Sequence, residues 1–136
     1  MTGRPGKFFP DPPESSEPFF EAASDGKLLI QRCAACGEHQ FYPRTICVGC
    51  GAPDVGWVEA SGRARVHTFT VIRQNRMPGW ADEVPYVVAV VDLAEGCRMT
   101  TNIVGCAPED VRIDMPVEVT FVDEGPLTLP RFRPVG

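Results

Sequence analysis

The sequence of 136 residues predicts a mainly β protein, in which one short N-terminal helix and a cysteine-rich ribbon precede a small closed barrel. Two observations support this fold class. Residues 33–50 contain two Cys-x-x-Cys pairs, and the chain after residue 55 reads as five or six short apolar strands separated by turn-forming residues. Such strands are typical of small barrels. A five-stranded OB-fold barrel fits the count, which leaves an SH3-like barrel open.

The composition is that of an ordinary soluble globular protein, with 43% hydrophobic and 23% charged residues, and the length suits one domain or a small module docked on a larger one. No apolar run approaches the roughly 20 residues that span a bilayer, and the N-terminus lacks the apolar segment of a secretory signal. We therefore expect a cytoplasmic protein with no membrane contact and with reduced thiols. The net charge of −5 argues against a nucleic-acid partner, because polyanions usually bind basic surfaces.

The first half of the chain divides into an arm and a small unit. Residues 1–15 are rich in Pro and Gly and are predicted to form a flexible N-terminal arm. Ser16 is predicted to cap a helix of about two turns that contains Phe19 and Phe20 and ends before Gly26. A short strand at 27–32 leads into Cys33. Helix and ribbon together are expected to occupy residues 16–54.

The second half, residues 55–136, is predicted to form the barrel. Its strands are expected at 55–60, 65–72, 85–93, 97–104, 115–122 and 129–134, with a loop at 74–84 and one helical turn at 108–111. Alternation in 65–72 places His67, Phe69 and Val71 on one face and Val66 on the opposite face. The nearly continuous apolar run at 85–93 predicts a strand buried on both faces.

The four cysteines at 33, 36, 47 and 50 have the spacing of a metal site. Two residues between the cysteines of a pair let one tight turn direct both sulfurs to the same point. Gly37 and Gly51 allow the backbone to turn so that amide groups face the sulfurs. Zn²⁺ takes four thiolates in a tetrahedron, so the spacing predicts a zinc ribbon with Cys33, Cys36, Cys47 and Cys50 as ligands. Iron would use the same ligands, and the sequence does not separate the two metals.

A metal with four protein thiolates keeps no position for water or substrate, which indicates a structural site. A thioredoxin-like redox pair would instead lie in a βαβ context. The sequence shows no Ser/His/Asp order, no glycine-rich phosphate loop and no paired-carboxylate spacing, so we predict no catalytic residues. Cys97 and Cys106 lack ligand spacing and are expected to be buried, inert thiols.

Several segments in order resemble a known family over residues 16–134. They are the Phe19-Phe20 helix, LLIQRC, CAACG, FYPR, CVGCG, SGRARVHTFTV, VPYVVAVVDL, TNIVG and the closing LPRFRP. The sequence is similar to the zinc-ribbon/OB-fold acyl-CoA-associated proteins, also called domain of unknown function family 35. Two positions depart from the family pattern: Tyr42 replaces the first proline of a Pro-Pro-Arg, and Val48 replaces a proline after the third cysteine. Neither is a ligand.

The resemblance implies a rubredoxin-like ribbon, an OB barrel and an accessory role. Members of the family pair with thiolase-fold enzymes of the sterol-carrier-protein-x type, and some work with acyl-CoA hydratases, in lipid, polyketide and steroid side-chain metabolism. The implied partner supplies the chemistry, as a thiolase or retro-aldolase, and this chain supplies a docking surface and part of an acyl-CoA channel. Arginines and aromatic groups suit CoA. The candidates for contact with CoA or with the partner are Phe41, Tyr42, Arg44, Arg73, Arg76 and Trp80.

The helix is also expected to dock a partner through Phe19 and Phe20, since exposed aromatic side chains otherwise favour aggregation. Two other functions remain open from the sequence. A single-stranded nucleic-acid binder would combine a ribbon and an OB barrel, although the acidic balance argues against it. A stand-alone acyl-CoA binding module would act as a carrier or sensor.

Overall fold

The computed structural model describes residues 13–135 and confirms the mainly β fold with one short N-terminal helix. A 3-10 turn at Glu14–Ser16 leads into helix α1, Glu17–Ser24. The strands are β1 (Leu29–Cys33), β2 (His39–Gln40), β3 (Val55–Glu59), β4 (Arg63–Ile72), β5 (Tyr86–Leu93), β6 (Arg98–Ile103), β7 (Pro116–Asp123) and β8 (Thr128–Pro134). The arm predicted at 1–15 lies mostly outside the described residues. Within 13–135, no helix has the length and apolar character needed to cross a bilayer.

The ribbon is a three-stranded antiparallel sheet in the order β2-β1-β3. Strand β3, which we expected in the barrel, pairs with β1 from Leu29↔Glu59 to Cys33↔Val55. The last of these pairs joins the first cysteine, Cys33, to Val55, five residues after Cys50. The ribbon sheet therefore includes residues 55–59, and the barrel strands begin at Arg63.

The barrel contains the five strands expected, closed in the order β4-β5-β6-β8-β7. All its neighbours pair antiparallel except β6 and β8, which run parallel through Ile103↔Phe132. The third and fifth barrel strands thus pair in parallel, and the fourth closes onto the first. This is the OB arrangement rather than the meander of an SH3-like barrel.

Strand β4 contains a β-bulge, which changes which of its side chains face the core from the arrangement predicted. The pairing with β5 runs from Val66↔Val91 directly to Thr68↔Val90, so His67 has no opposite residue. An extra residue reverses the alternation of faces beyond it. Val66 therefore lies in the core on the same side as the half-buried Phe69, whereas His67 is exposed. The prediction that Val66 faces away from Phe69 is wrong for this reason.

Strand β5 buries one face, not two. Every second residue, Val87, Ala89, Val91 and Leu93, is at most 3% exposed. The alternate residues, Val88 and Val90 among them, are half-buried on the outside of the barrel. In an antiparallel barrel, only the interior face meets the core, so a continuous apolar run does not require burial on both sides.

Helix α1 ends as predicted but begins differently. Gly26 has φ of +77°, its N–H donates to the Ala23 carbonyl (3.0 Å), and the Lys27 N–H donates to the Ala22 carbonyl (2.9 Å). These two bonds form a Schellman motif. Ser16 precedes the helix but makes no side-chain capping bond, because its backbone is already in the helical region as part of the 3-10 turn.

Phe19 joins the helix to both other parts of the molecule. Its ring is only 7% exposed, and α1 packs against β1 of the ribbon and against β7 and β8 of the barrel. The Phe19 ring centroid lies 5.5 Å from that of Phe41 in the ribbon and 5.0 Å from that of Phe20. Phe19 therefore packs inside this chain and Phe20 is half-buried, and a docking role for the helix stays a prediction.

The closing LPRFRP segment forms most of strand β8, and its buried residues belong to the barrel. Phe132 is fully buried in the barrel core, and the Pro130 carbonyl accepts a hydrogen bond from Thr101 Oγ1 at 3.3 Å. The neighbouring Arg133 points outward, where its guanidinium contacts Glu118 Oε2 at 3.2 Å. The alternation of buried apolar and outward basic residues is that of a barrel strand.

Candidate metal centre

The two cysteine pairs lie in two matching turns of the ribbon. In the first turn, the Gly37 N–H donates to the Cys33 carbonyl at 2.8 Å, and in the second the Gly51 N–H donates to the Cys47 carbonyl at 2.9 Å. Gly37 and Gly51 have φ of +80° and +79°, values that side-chain-bearing residues rarely adopt. The glycines after each pair thus make the predicted turns.

The four sulfurs converge on one point. The Sγ atoms of Cys33, Cys36, Cys47 and Cys50 all lie within 4.8 Å of one another. Sγ of Cys33 is 3.7 Å from Sγ of Cys50, and Sγ of Cys36 is 3.6 Å from Sγ of Cys47. A tetrahedral zinc with Zn–S bonds of about 2.3 Å separates its sulfurs by about 3.8 Å. The donor atoms and their spacing therefore fit a single four-coordinate metal ion.

The pKa values of the thiols in this cluster are shifted in opposite directions. The backbone N–H groups of Cys50 and Gly49 point at Cys47 Sγ and lower the pKa of Cys47 to about 7. For Cys36, the Glu38 N–H lowers the pKa, but desolvation and the neighbouring thiols outweigh it and raise the pKa to about 12. One thiolate forms readily, whereas several together require a cation among them.

Two buried glutamines hold the loop between the cysteine pairs. Gln31 and Gln40 are 4% and 7% exposed, and Gln40 Nε2 donates to Gln31 Oε1 at 2.9 Å. Gln31 binds both backbone groups of Arg44, donating to its carbonyl (3.0 Å) and accepting from its N–H (2.9 Å). Gln40 donates to the Ile46 carbonyl (3.2 Å) and accepts from the Val48 N–H (3.0 Å). The backbone of the loop is thus fixed from beneath by side-chain amides.

Neither glutamine was predicted from the sequence as part of the site. A local pattern does exist, since side chains alternate along β1 and Gln31 shares its face with Leu29 and the buried Cys33. An inward glutamine needs partners for its amide, and here the partners are backbone groups.

Replacement of Gln40 by leucine is expected to destabilise the chain by about 1–3 kcal/mol, because the Val48 N–H and the Gln31 amide lose partners inside the ribbon. Urea unfolding of metal-loaded protein measures the loss. Gln74→Leu is the matched control: Gln74 is exposed, and its replacement should change the free energy of unfolding by less than about 0.5 kcal/mol. Equal stability of both variants would contradict a holding role for Gln40.

Three of the predicted contact residues lie in this loop. The ring centroids of Phe41 and Tyr42 are 4.9 Å apart, and Phe41 also packs on the core. Tyr42 is 54% exposed, and its hydroxyl lies 3.4 Å from Thr100 Oγ1 on the outside of the barrel. The Arg44 side chain is exposed. The structure thus brings an aromatic pair and one arginine together at the junction of ribbon and barrel.

The other three contact candidates lie in the loop between β4 and β5. Arg73 and Arg76 are exposed, while Trp80 is half-buried with its ring centroid 5.1 Å from that of Tyr86. This loop leaves the barrel where Ile72 pairs with Tyr86, whereas Tyr42 reaches β6 beside Val90. Those two points are four residues apart along β5, about 13 Å. The candidates therefore form two groups rather than one.

The remaining cysteines are less buried than predicted. Cys97 and Cys106 are both half-buried. Burial raises the pKa of each thiol, and nearby Glu95 and Asp110 raise it further for Cys97 and Cys106 respectively. Raised pKa values keep both thiols protonated, as expected for inert cysteines.

A charged cluster near the β4–β5 loop was also missed. Arg131 Nη2 lies 3.9 Å from Glu124 Oε2, and the two side chains are 13% and 5% exposed. Burial lowers the pKa of Arg131, while the charges of Glu124 and Glu83 oppose that change. The cluster links strand β8 to the β7–β8 turn and to the loop that contains Trp80.

The fold and the site define a class of protein: a cysteine ribbon joined to an OB barrel, in which four thiols surround a space that fits one metal ion. Comparison with known proteins gives the particular family. Residues 20–56 match the rubredoxin-like zinc ribbon domain of ChsH2, and residues 57–122 match the C-terminal OB-fold domain of ChsH2. The chain belongs to the DUF35 family, as the sequence resemblance predicted.

Relatives agree with this assignment. A DUF35 domain-containing scaffold protein from Methanocaldococcus jannaschii is 36% identical over 116 residues, which are 79% of this chain and 82% of that protein. A probable enoyl-CoA hydratase alpha subunit from Thermomonospora curvata is 45% identical over 117 residues, 85% of this chain. These residues span only 36% of that hydratase subunit.

A solved structure matches the whole arrangement. The structure described as Ltp2-ChsH2(DUF35) aldolase superposes with a TM-score of 0.83 at 42% identity, and the match covers 93% of this chain and 98% of that chain. The ribbon, helix and barrel are thus found together in a relative that forms part of an aldolase.

Proposed function

We propose that this chain is a non-catalytic accessory subunit of a thiolase-fold acyl-CoA enzyme. The observation that supports this most is the closed set of four thiols, which uses every coordination position of a tetrahedral metal and leaves none for a substrate. The family relatives are scaffold and enzyme subunits, in keeping with this role. In this proposal the chain supplies a docking surface and part of the acyl-CoA channel, and a partner performs the reaction.

The ion at Cys33, Cys36, Cys47 and Cys50 is zinc in this proposal. Bound there, zinc supplies folding free energy to the ribbon and no chemistry toward substrate. The Gly49 and Cys50 N–H groups that face Cys47 Sγ at 3.3 and 3.5 Å spread the charge of the thiolates. Elemental analysis of protein purified without added metal distinguishes zinc from iron.

The partner is a thiolase-fold protein of the sterol-carrier-protein-x type, working in the cytoplasm as a thiolase or retro-aldolase on an acyl-CoA of lipid or steroid side-chain metabolism. Similarity to the Ltp2-ChsH2(DUF35) aldolase supports the aldolase reaction. Similarity to part of a hydratase alpha subunit supports an acyl-CoA hydratase as a neighbour in the same complex.

Contact with CoA or with the partner is assigned to two groups of residues. Phe41, Tyr42 and Arg44 lie at the junction of ribbon and barrel, and Arg73, Arg76 and Trp80 lie in the β4–β5 loop, one of the loops by which OB folds bind ligands. Arginines suit the phosphates of CoA, and an aromatic ring suits its adenine. The partner completes whichever of these surfaces binds CoA.

Affinity purification of the tagged full chain from its native cells tests the proposal. We expect a thiolase-fold protein to co-purify, and we expect that protein alone to have little acyl-CoA cleavage or thiolysis activity until this chain is added. Full activity of the partner alone, or turnover of an acyl-CoA by this chain alone, would overturn the proposal. Calorimetry with CoA esters and gel shifts with single-stranded DNA, both on the isolated chain, report the two competing functions.

A further inference from the structure

The loop between the cysteine pairs exposes apolar side chains in an unusual concentration. Among residues 13–135, six large hydrophobic side chains are exposed, and three of them, Tyr42, Ile46 and Val48, lie within seven residues of one another in the sequence. Ile46 and Val48 are 50% and 68% exposed and flank the buried ligand candidate Cys47. Exposed apolar groups that cluster in this way mark interaction sites.

This loop is also held rigidly. Gln31 and Gln40 bind backbone groups of Arg44, Ile46 and Val48 from the interior, and the two amides bind each other at 2.9 Å. With their backbone groups turned inward, these three residues present their side chains outward. A surface that is ordered before binding loses little conformational entropy when a partner covers it.

The charge of the loop indicates the kind of partner. Arg44 is the one charged residue in 41–48, on a chain whose net charge is −5. Two copies of this acidic chain repel each other overall, which disfavours a symmetric contact. The loop instead fits an apolar depression with a carboxylate at its rim, which Arg44 would bind in a bidentate manner.

We infer that Arg44, Ile46 and Val48, here called the ribbon-loop surface, form the centre of the interface with the thiolase-fold subunit. This inference rests on the proposed function. Around this centre, the interface includes Tyr42, whose hydroxyl contact with Thr100 makes the loop continuous with the outside of the barrel. The two apolar side chains enter the depression on the partner, and Arg44 fixes the orientation.

The test uses the thiolase-fold partner identified in the native cells and the full chain with its metal. Val48→Asp and Ile46→Asp are each expected to weaken binding of the partner by about 10-fold or more in calorimetry, the size typical of residues at the centre of an interface. Ile113→Asp is the matched control, because Ile113 is 60% exposed but lies between β6 and β7. It should change the affinity by less than about 2-fold. Metal content and melting temperature are measured for each variant.

A photo-crosslinking residue at position 48, compared with one at position 113, keeps the inference testable if an aspartate variant folds poorly. Crosslinking to the partner from 48 and not from 113 supports the surface. If the wild-type chain binds its partner but the Val48 and Ile113 variants bind equally well, the surface is wrong and the proposed function stands. If the wild-type chain binds no thiolase-fold protein, the proposed function fails, and this inference fails with it. Sedimentation that shows a dimer lost on Val48→Asp, with partner binding intact, would assign the surface to a second copy and overturn the inference.

Discussion

Cys47→Ala is expected to abolish metal binding and to unfold the ribbon. Cys47 is 2% exposed, and its sulfur accepts from two backbone N–H groups in the centre of the cluster. Structural zinc sites contribute on the order of 10 kcal/mol to folding. Apart from the metal, the two cysteine turns are held mainly by the two-residue strand β2 and by the side-chain amides of Gln31 and Gln40. Loss of one ligand therefore removes most of the stability of these turns.

The measurement combines elemental analysis, near-ultraviolet circular dichroism and tryptophan fluorescence, to which Trp57 in ribbon strand β3 contributes. Cys106→Ala serves as the control, because Cys106 is half-buried and lies outside the cluster. It should retain metal and lose about 1 kcal/mol of stability. A Cys47→Ala protein that melts at the wild-type temperature without metal would refute a structural role for the site.

The cysteine ribbon was predictable because its determinants are local. Cys-x-x-Cys-Gly specifies a tight turn within five residues, and the glycine φ values of +80° and +79° follow from the covalent limits on other residues. The sulfur cluster then requires only that two such turns meet, for which the ten residues between them suffice. The same holds for the end of helix α1 at Gly26, where the deciding contacts are three or four residues apart.

The barrel was predictable in count and less so in detail, because its pairings are not local. Strand β3 looks like any barrel strand, and only its pairing with β1 places it in the ribbon. The sequence RVHTFTVI gives no sign of the bulge at His67. It contains no glycine, and read as a regular strand it alternates without interruption. Closure of β4 onto β7, some fifty residues away, decides which face of each strand is interior.

The candidate contact residues illustrate the same limit. Phe41, Tyr42 and Arg44 lie together because they are consecutive in one loop. Their distance from Trp80 depends on where the ribbon rests against the barrel, which the Tyr42–Thr100 contact reveals. Gln31 and Gln40 escaped prediction because a polar residue in a strand is usually exposed, and their backbone partners follow thirteen and six to eight residues later.

The contact between ribbon and barrel leads to the second large expected effect. Phe19→Ala should destabilise the chain by about 3–5 kcal/mol, the usual cost of deleting a buried phenylalanine ring. The ring lies at the point where α1, the ribbon residue Phe41 and the barrel core meet, so its loss also loosens the ribbon from the barrel. Denaturant unfolding measures the first effect, and hydrogen exchange of the amides in β1 and the Phe41–Val48 loop measures the second.

Phe20→Ala is the matched control, one residue away in the same helix and half-buried. It should cost about 1–2 kcal/mol and leave hydrogen exchange in the ribbon unchanged, since the Phe20 ring packs at the edge of the cluster. If Phe20→Ala weakens partner binding at unchanged ribbon exchange, the predicted docking role belongs to Phe20 directly. Equal destabilisation by both substitutions, with no change in ribbon exchange for either, would show that Phe19 does not join the two parts. The orientation of the ribbon-loop surface relative to the barrel would then have to depend on the Tyr42–Thr100 contact alone.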